Sequence, residues 1–326
     1  MVTTLLNEHL RVDVRPERGA EIAVLAAPNG RNLLAAFGGA SPLPASRSVS
    51  YGSTELDWLS HYRGGWQELF PNAGAECVVD GVPLPFHGEA STADWEVHES
   101  SPTSLTVSTP GRLPLVLRRE MALDPTGPTL RIRESVTNES NAPVPFLWGH
   151  HPAYTAVPGA RIDLPAATAT AAEQFDTDHN DLRPGASGPW PELPNKAGDA
   201  TTLDVVPTGP RERVVFLSSL ADTWYALRDV EGGVGLAMAW DRTAFPCLWY
   251  WTEIGGPAFP WYGRSRIVAL EPATAWPSDG LAAAVERGTA HLVEPGATMS
   301  AWLTVSLFDA DERPVRGIDQ DGVVTR

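Results

Sequence analysis

Lysine is almost missing from this chain. Of its 24 basic residues only Lys196 is a lysine, and it lies among turn formers in PELPNKAGDA. Schiff-base and pyridoxal chemistry need a lysine held in a pocket, so both are nearly excluded. Cysteine is scarce too. Cys77 and Cys247 cannot build a disulfide framework and have no CxxC spacing, so buried thiols are expected. Positive charge is in deficit, and a formal net charge of −16 argues against nucleic acid or an anionic membrane surface as partner. No apolar run is long enough to span a bilayer, and the start, MVTTLLNEHLRVDV, has no basic stretch leading into an apolar segment and cleavage site. A cytoplasmic protein acting on a small neutral molecule is the expectation.

Helical periodicity is rare, and strand patterns fill the chain from end to end. Leu10, Val12 and Val14 alternate with Arg11, Asp13 and Arg15, the period of a half-buried strand. AEIAVLAAPNG reads as a second strand closing on the Asn29-Gly30 turn. LPLVLRREMAL and TLRIRESVTN flank DPTGP as a hairpin, and Met299 to Leu307 alternate again. The clearest helix is GLAAAVERG, with Ser278 or Asp279 as N-cap and Gly288 as stop. Arg183 to Pro210 reads as a long loop with one short strand. The fold class expected is all-β, a large antiparallel β-sandwich with few short helices, in one domain over 1–326 whose residues 309–326 form a polar tail. With 326 residues and 43% hydrophobic content the core can be large.

Three segments combine ionisable groups with turn residues and aromatics. In FLWGHHPAY, His150 and His151 are adjacent, and successive strand residues point to opposite faces, so the two cannot serve one site. The residue before a proline is pushed towards extended backbone, which sets His151 at a strand end or in the loop leaving it. Between Tyr62 and Trp95, His87 follows Phe86 and precedes Gly88, with Glu68 and Glu89 nearby. In IVALEPATAWP, Glu271 follows four apolar residues, and Pro272 is expected to end the ladder. A carboxylate at such a place has its charged form disfavoured by desolvation, as a general base near neutral pH requires. The 12 tryptophans add flat apolar faces suited to sugar rings, although core filling explains any single one as well.

The order HG, then HP followed by an aromatic, then EP after an apolar strand resembles the aldose 1-epimerase (galactose mutarotase-like) superfamily. GGWQELFPNAG is similar to a segment of its hexose-phosphate epimerase branch, and RGAEIAVL, GRNLL and LVEPGATMSAWLTVSL look like its first and last strands. The resemblance covers roughly residues 8 to 308 and implies a galactose mutarotase-like supersandwich, no cofactor, no metal, and interconversion of sugar anomers. On this resemblance Glu271 is the base at the anomeric hydroxyl, His151 the acid at the ring oxygen, and His87 a substrate hydrogen-bonding group. The sugar platform is expected from Trp66, Trp148, Trp249 and Trp251, with Arg63, Glu68 and Asn72 at the substrate. The family's sugar-binding Asp has two candidates here, Asp178 and Asp241. A monomer or homodimer is expected.

Other readings stay on the page. Arg63, Arg264 and Arg266 are available to clamp a sugar phosphate. A glycosidase would pair Glu271 with Asp241 or Glu89. A silent carbohydrate-binding protein would keep the tryptophans without needing the His and Glu set. A metal on His87, His151 and Glu271 lacks any HxH or HxxxH pair. Asp176, Asp178 and Asn180 open like a calcium loop, but Asp181 and Ser187 stand where glycine and glutamate belong. GxSxG, GxGxxG and GxxxxGK[ST] anchors are missing.

Overall fold

The computed structural model describes residues 2–36 and 50–326. Among these, two antiparallel sheets face each other. The larger has ten strands, in the order Thr3–Leu6, Arg11–Arg15, Glu21–Ala26, Gly65–Leu69, Gly149–Thr155, Arg266–Ala273, Cys247–Ile254, Arg211–Ser218, Thr168–Ala171 and Ser187–Pro189. The smaller has eight, with Thr298–Asp309, Thr129–Asn138 and Leu115–Leu123 at its centre. The sequence hairpin around DPTGP pairs Leu130 with Leu123 and runs to Asn138 with Leu115. Leu117, Met121, Leu130, Ile132, Val136, Leu303 and Val305 point into the space between the sheets and join Val12, Val14 and Leu270 in one core. No described helix is long and apolar enough to cross a membrane.

Several local expectations are corrected. Pro272 does not end its strand, which runs on to Ala273, and His151 lies inside a strand rather than at its end. Each proline is carried because its strand keeps its other neighbours: Pro272 stays in register with Leu248, and Pro152 with Trp66. The second helix, Leu281–Arg287, starts from Gly280 without a side-chain cap and ends at Gly288 in the left-handed conformation, so only the stop is as expected. Arg183–Pro210 holds three short strands, Ser187–Pro189, Glu192–Pro194 and Ala200–Thr202. The polar segment 309–326 folds back as a small hairpin, where Val315 and Ile318 cover Trp224, Ala226 and Ala237 on the outer face of the eight-stranded sheet.

A helix that sequence periodicity does not announce, Thr54–His61, lies over the outer face of the ten-stranded sheet. Ser53 caps it by accepting from the Leu56 N–H, and Glu55 and Asp57 sit in its first turn. It buries one residue, Trp58, in an apolar patch with Tyr62, Ala153, Trp261, Ile267 and Ala269. That patch sits against the catalytic candidates.

Candidate active site

Strand pairing assembles the site. Gly149 pairs with Ala273 and Ala153 with Ala269, in one register on both sides of a gap, so His151 and Glu271 stand opposite each other on neighbouring strands. Pro152 and Pro272 remove two N–H groups from this gap, which explains why the bridges lapse there while the register holds. His151 also pairs with Gln67, and Glu271 with Trp249. The row Gln67, His151, Glu271, Trp249 therefore crosses four strands on the outer face of the ten-stranded sheet. His151 Nε2 lies 3.5 Å from Glu271 Oε1.

His87 arrives from a different segment. Its backbone has φ +61, uncommon for a residue with a side chain. Two bonds with Gly74 hold it there: His87 N–H donates to the Gly74 carbonyl at 2.9 Å, and Gly74 N–H donates to His87 Nδ1 at 3.0 Å. Gly74 has φ +84, and a Cβ at that position would lie 2.1 Å from the Ser278 carbonyl oxygen, so only glycine fits. Because Nδ1 accepts, the neutral ring carries its proton on Nε2. The ring lies 5.7 Å from that of His151 and 4.8 Å from that of Trp58. Trp58, Tyr62 and Trp251 surround His151 at 5.6, 5.6 and 5.4 Å.

The site is buried, and its titrations follow from that. Burial raises Glu271 well above the usual carboxylate value. Burial lowers His151 to about 4, against a small opposing backbone contribution. His87 is pushed well below 6.5 by burial and then by His151. Both histidines are thus neutral at pH 7, and of the His151–Glu271 pair Glu271 is the group whose proton burial favours.

Other expected site residues lie elsewhere. His150 points, as parity requires, into the space between the sheets, where Nε2 lies 3.0 Å from Glu134 Oε2. Glu68 is fully buried there too, bonded to Arg119 and to the Trp148 indole, so neither Glu68 nor Trp148 faces His151 and Glu271. Trp66 is on that same inner face and donates to His150 Nδ1 at 3.1 Å. Asn72 spends its amide on the Ala75 and Pro85 carbonyls, at 2.8 Å each, and accepts from the Leu281 N–H at 2.7 Å. Asp241 borders a groove on the outer face of the opposite sheet, with Arg118, Arg133 and Trp302. Arg63 bonds to the Tyr62 carbonyl at 2.6 Å and neighbours Arg18 and Glu21. Arg266 is exposed, with the Ala156 carbonyl 3.4 Å away. Trp249 and Trp251 remain at the site.

Among the described residues, Glu68, Glu134 and His150 are one group with donor atoms close enough for a metal ion. The Arg119 guanidinium already bridges the two carboxylates, so the position of a cation is filled by the protein itself.

Residues that sequence reasoning missed are Gln67, Tyr62, Trp58 and Trp261. For Gln67 the signal was parity: Trp66 and Glu68 flank it, and whichever face those two take, Gln67 takes the other.

The two facing antiparallel sheets, mostly strand with two short helices among the described residues, form a galactose mutarotase-like fold. The chain belongs to the family described as "Domain of unknown function (DUF4432)", whose model matches residues 1–307. Similar solved structures include the Slr1438 protein from Synechocystis sp. PCC 6803, at 19% identity and TM-score 0.67 over 95% of this chain and 96% of that one. A galactose mutarotase related enzyme from Lactobacillus acidophilus matches at 16% identity and TM-score 0.64, over 96% and 99%. A galactose mutarotase-like protein from Lactobacillus casei matches at 18% identity and TM-score 0.57, over 94% and 100%. No curated protein matches the chain by sequence.

Proposed function

We propose that the protein is an aldose 1-epimerase, interconverting the α and β anomers of a neutral sugar by acid/base ring opening. The observation that carries this reading is the pair His151 and Glu271, opposed across two strands at 3.5 Å in a buried site. Opening a hemiacetal needs one proton given and one taken, and no electron moves. Each positioned group contributes about 10²- to 10⁴-fold.

The directions of the two shifts favour the reverse of the roles expected from the sequence. With the proton resting on Glu271, Glu271 gives it to the ring oxygen while neutral His151 takes the proton of the anomeric hydroxyl. The bond from C1 to the ring oxygen breaks and the aldehyde forms. After rotation about C1–C2, closure returns the ring-oxygen proton to Glu271 and His151 re-protonates the new anomeric oxygen, so the pair ends as it began. His87, with Nε2–H free to donate, stabilises charge on a reacting oxygen. Trp251, Trp249 and Trp58 supply apolar faces that hold the ring in register with these groups.

The test is equilibration of freshly dissolved α-anomers, followed by polarimetry. Acceleration of at least one neutral hexose or pentose is expected. Uncatalysed rates for the whole panel, 6-phosphates included, would end the epimerase reading, and acceleration of 6-phosphates alone would move it to the sugar-phosphate branch.

A further inference from the structure

The row of paired residues does not stop at His151. Gln67 is its partner on the next strand and is 4% exposed. Its Nε2 donates to the Gly64 carbonyl at 2.7 Å, which fixes the amide so that Oε1 is the free end. That Oε1 is buried and has no hydrogen-bond partner among the described residues. The Tyr62 hydroxyl is in the same condition, on a ring 5.6 Å from the His151 ring, as is His151 Nδ1. Three buried polar atoms without partners around one imidazole are costly to a fold that gains nothing from them. One strand further, Ile22 pairs with Trp66, which sets Glu21 opposite Gln67. Glu21 is buried, with Arg18 Nε at 3.0 Å.

We propose that Gln67 and Tyr62 form a specificity subsite that grips one hydroxyl of a neutral pyranose ring, remote from its anomeric carbon. This rests on the epimerase reading for where the anomeric carbon lies. Gln67 Oε1 can only accept and the Tyr62 hydroxyl can donate, while a sugar hydroxyl does both at once. One hydroxyl lying between them would satisfy both orphans. Tyr62 keeps its proton, because burial, then Glu271 and Glu21, raise it well above 10. Neighbouring strands lie about 4.8 Å apart, so Gln67 stands about one sugar-ring width from His151. The Glu21 carboxylate at this end is already paired with Arg18, so the groups left to read the sugar are the Gln67 acceptor and the Tyr62 donor, a pair that matches a hydroxyl.

The test sets wild type, Gln67→Leu and Tyr62→Phe against the preferred hexose and its monodeoxy analogues, reading dissociation constants by ligand-observed NMR titration and anomer exchange in the same tubes. Wild type should lose about tenfold in affinity for one particular analogue. Gln67→Leu should lose about tenfold for the parent sugar and then be indifferent to that same deoxygenation. Tyr62→Phe, which deletes a single oxygen and keeps the packed ring, should show the same pattern and carries the test if Gln67→Leu does not fold. Variants that weaken the parent and every analogue equally, or not at all, would overturn the subsite, as would absence of sugar binding by wild type. Binding with this pattern but without exchange would instead sink the epimerase reading and leave the subsite standing.

Discussion

The three residues that carry the proposed chemistry are shaped by burial more than by neighbours. Glu271 has no charged partner contributing to its shift, and burial is the whole cause. Glu271→Gln and His151→Asn should each lower kcat by about 10²- to 10⁴-fold without unfolding the protein, as checked by circular dichroism beside anomer-exchange rates. His150→Asn should instead cost stability while leaving more activity, because His150 touches Glu134 and Trp66 on the inner face, away from His151 and Glu271. The pH profile follows from the resting proton. As pH falls through about 4, His151 takes up a second proton, the pair has no base, and activity falls. As pH rises through the elevated pKa of Glu271, the pair loses its only proton and activity falls again, well above the usual carboxylate range. Wild-type kcat/KM against pH should therefore show a broad plateau between these limbs. Most of this trio was legible, since prolines, glycine and apolar runs mark its members. Gln67 was not, because Gly65–Leu69 is buried on both faces and gives no polar alternation from which to read its inward side.

At the scale of elements, the loop from Gly255 to Ser265 deserves its own experiment, because it carries Trp261 onto Trp251 and Tyr62 at 5.6 and 5.9 Å. Glu253 pins both ends of that loop, accepting from the Gly256 N–H at 2.9 Å and the Ser265 hydroxyl at 2.6 Å. Glu253→Ala would leave the buried Gly256 N–H unpaired, at a cost of about 1–3 kcal/mol. The expected result is faster amide exchange across residues 255–265 and a raised KM with a smaller change in kcat. Unchanged exchange would show that the loop is held by its aromatic packing alone. Such loops, the helix Thr54–His61 and the short strands after Ser187 escaped the sequence reading for one reason. Each is too short for its periodicity to stand out, and the helix buries only Trp58.

For the whole molecule, the two sheets are joined through their core by a polar bridge. Arg119 and Glu134, opposite each other on neighbouring strands of the smaller sheet, are bonded at 2.6 Å, and Arg119 reaches across to Glu68 of the larger sheet. Arg119→Met would leave two buried carboxylates without their cation and should cost about 3–5 kcal/mol in urea unfolding. A loss below 1 kcal/mol would mean that His150 and the two indoles suffice. The sandwich itself was plain in the strand patterns. The bridge left a trace that went unread: Leu115, Leu117, Met121 and Leu123 share one face with Arg119, and Leu130, Ile132 and Val136 share one with Glu134. Two apolar stripes, each broken once and by opposite charges, predict such a pair.

The measurement that tests the account most directly is two-dimensional exchange NMR of an aldose at anomeric equilibrium, at neutral pH, with wild type and Glu271→Gln at equal concentration. Wild type should give α–β exchange cross-peaks far above the enzyme-free rate, and Glu271→Gln should bring them down by about 10²-fold or more with the fold intact. Exchange undiminished in Glu271→Gln would contradict the claim that His151 and Glu271 pass one proton across the ring.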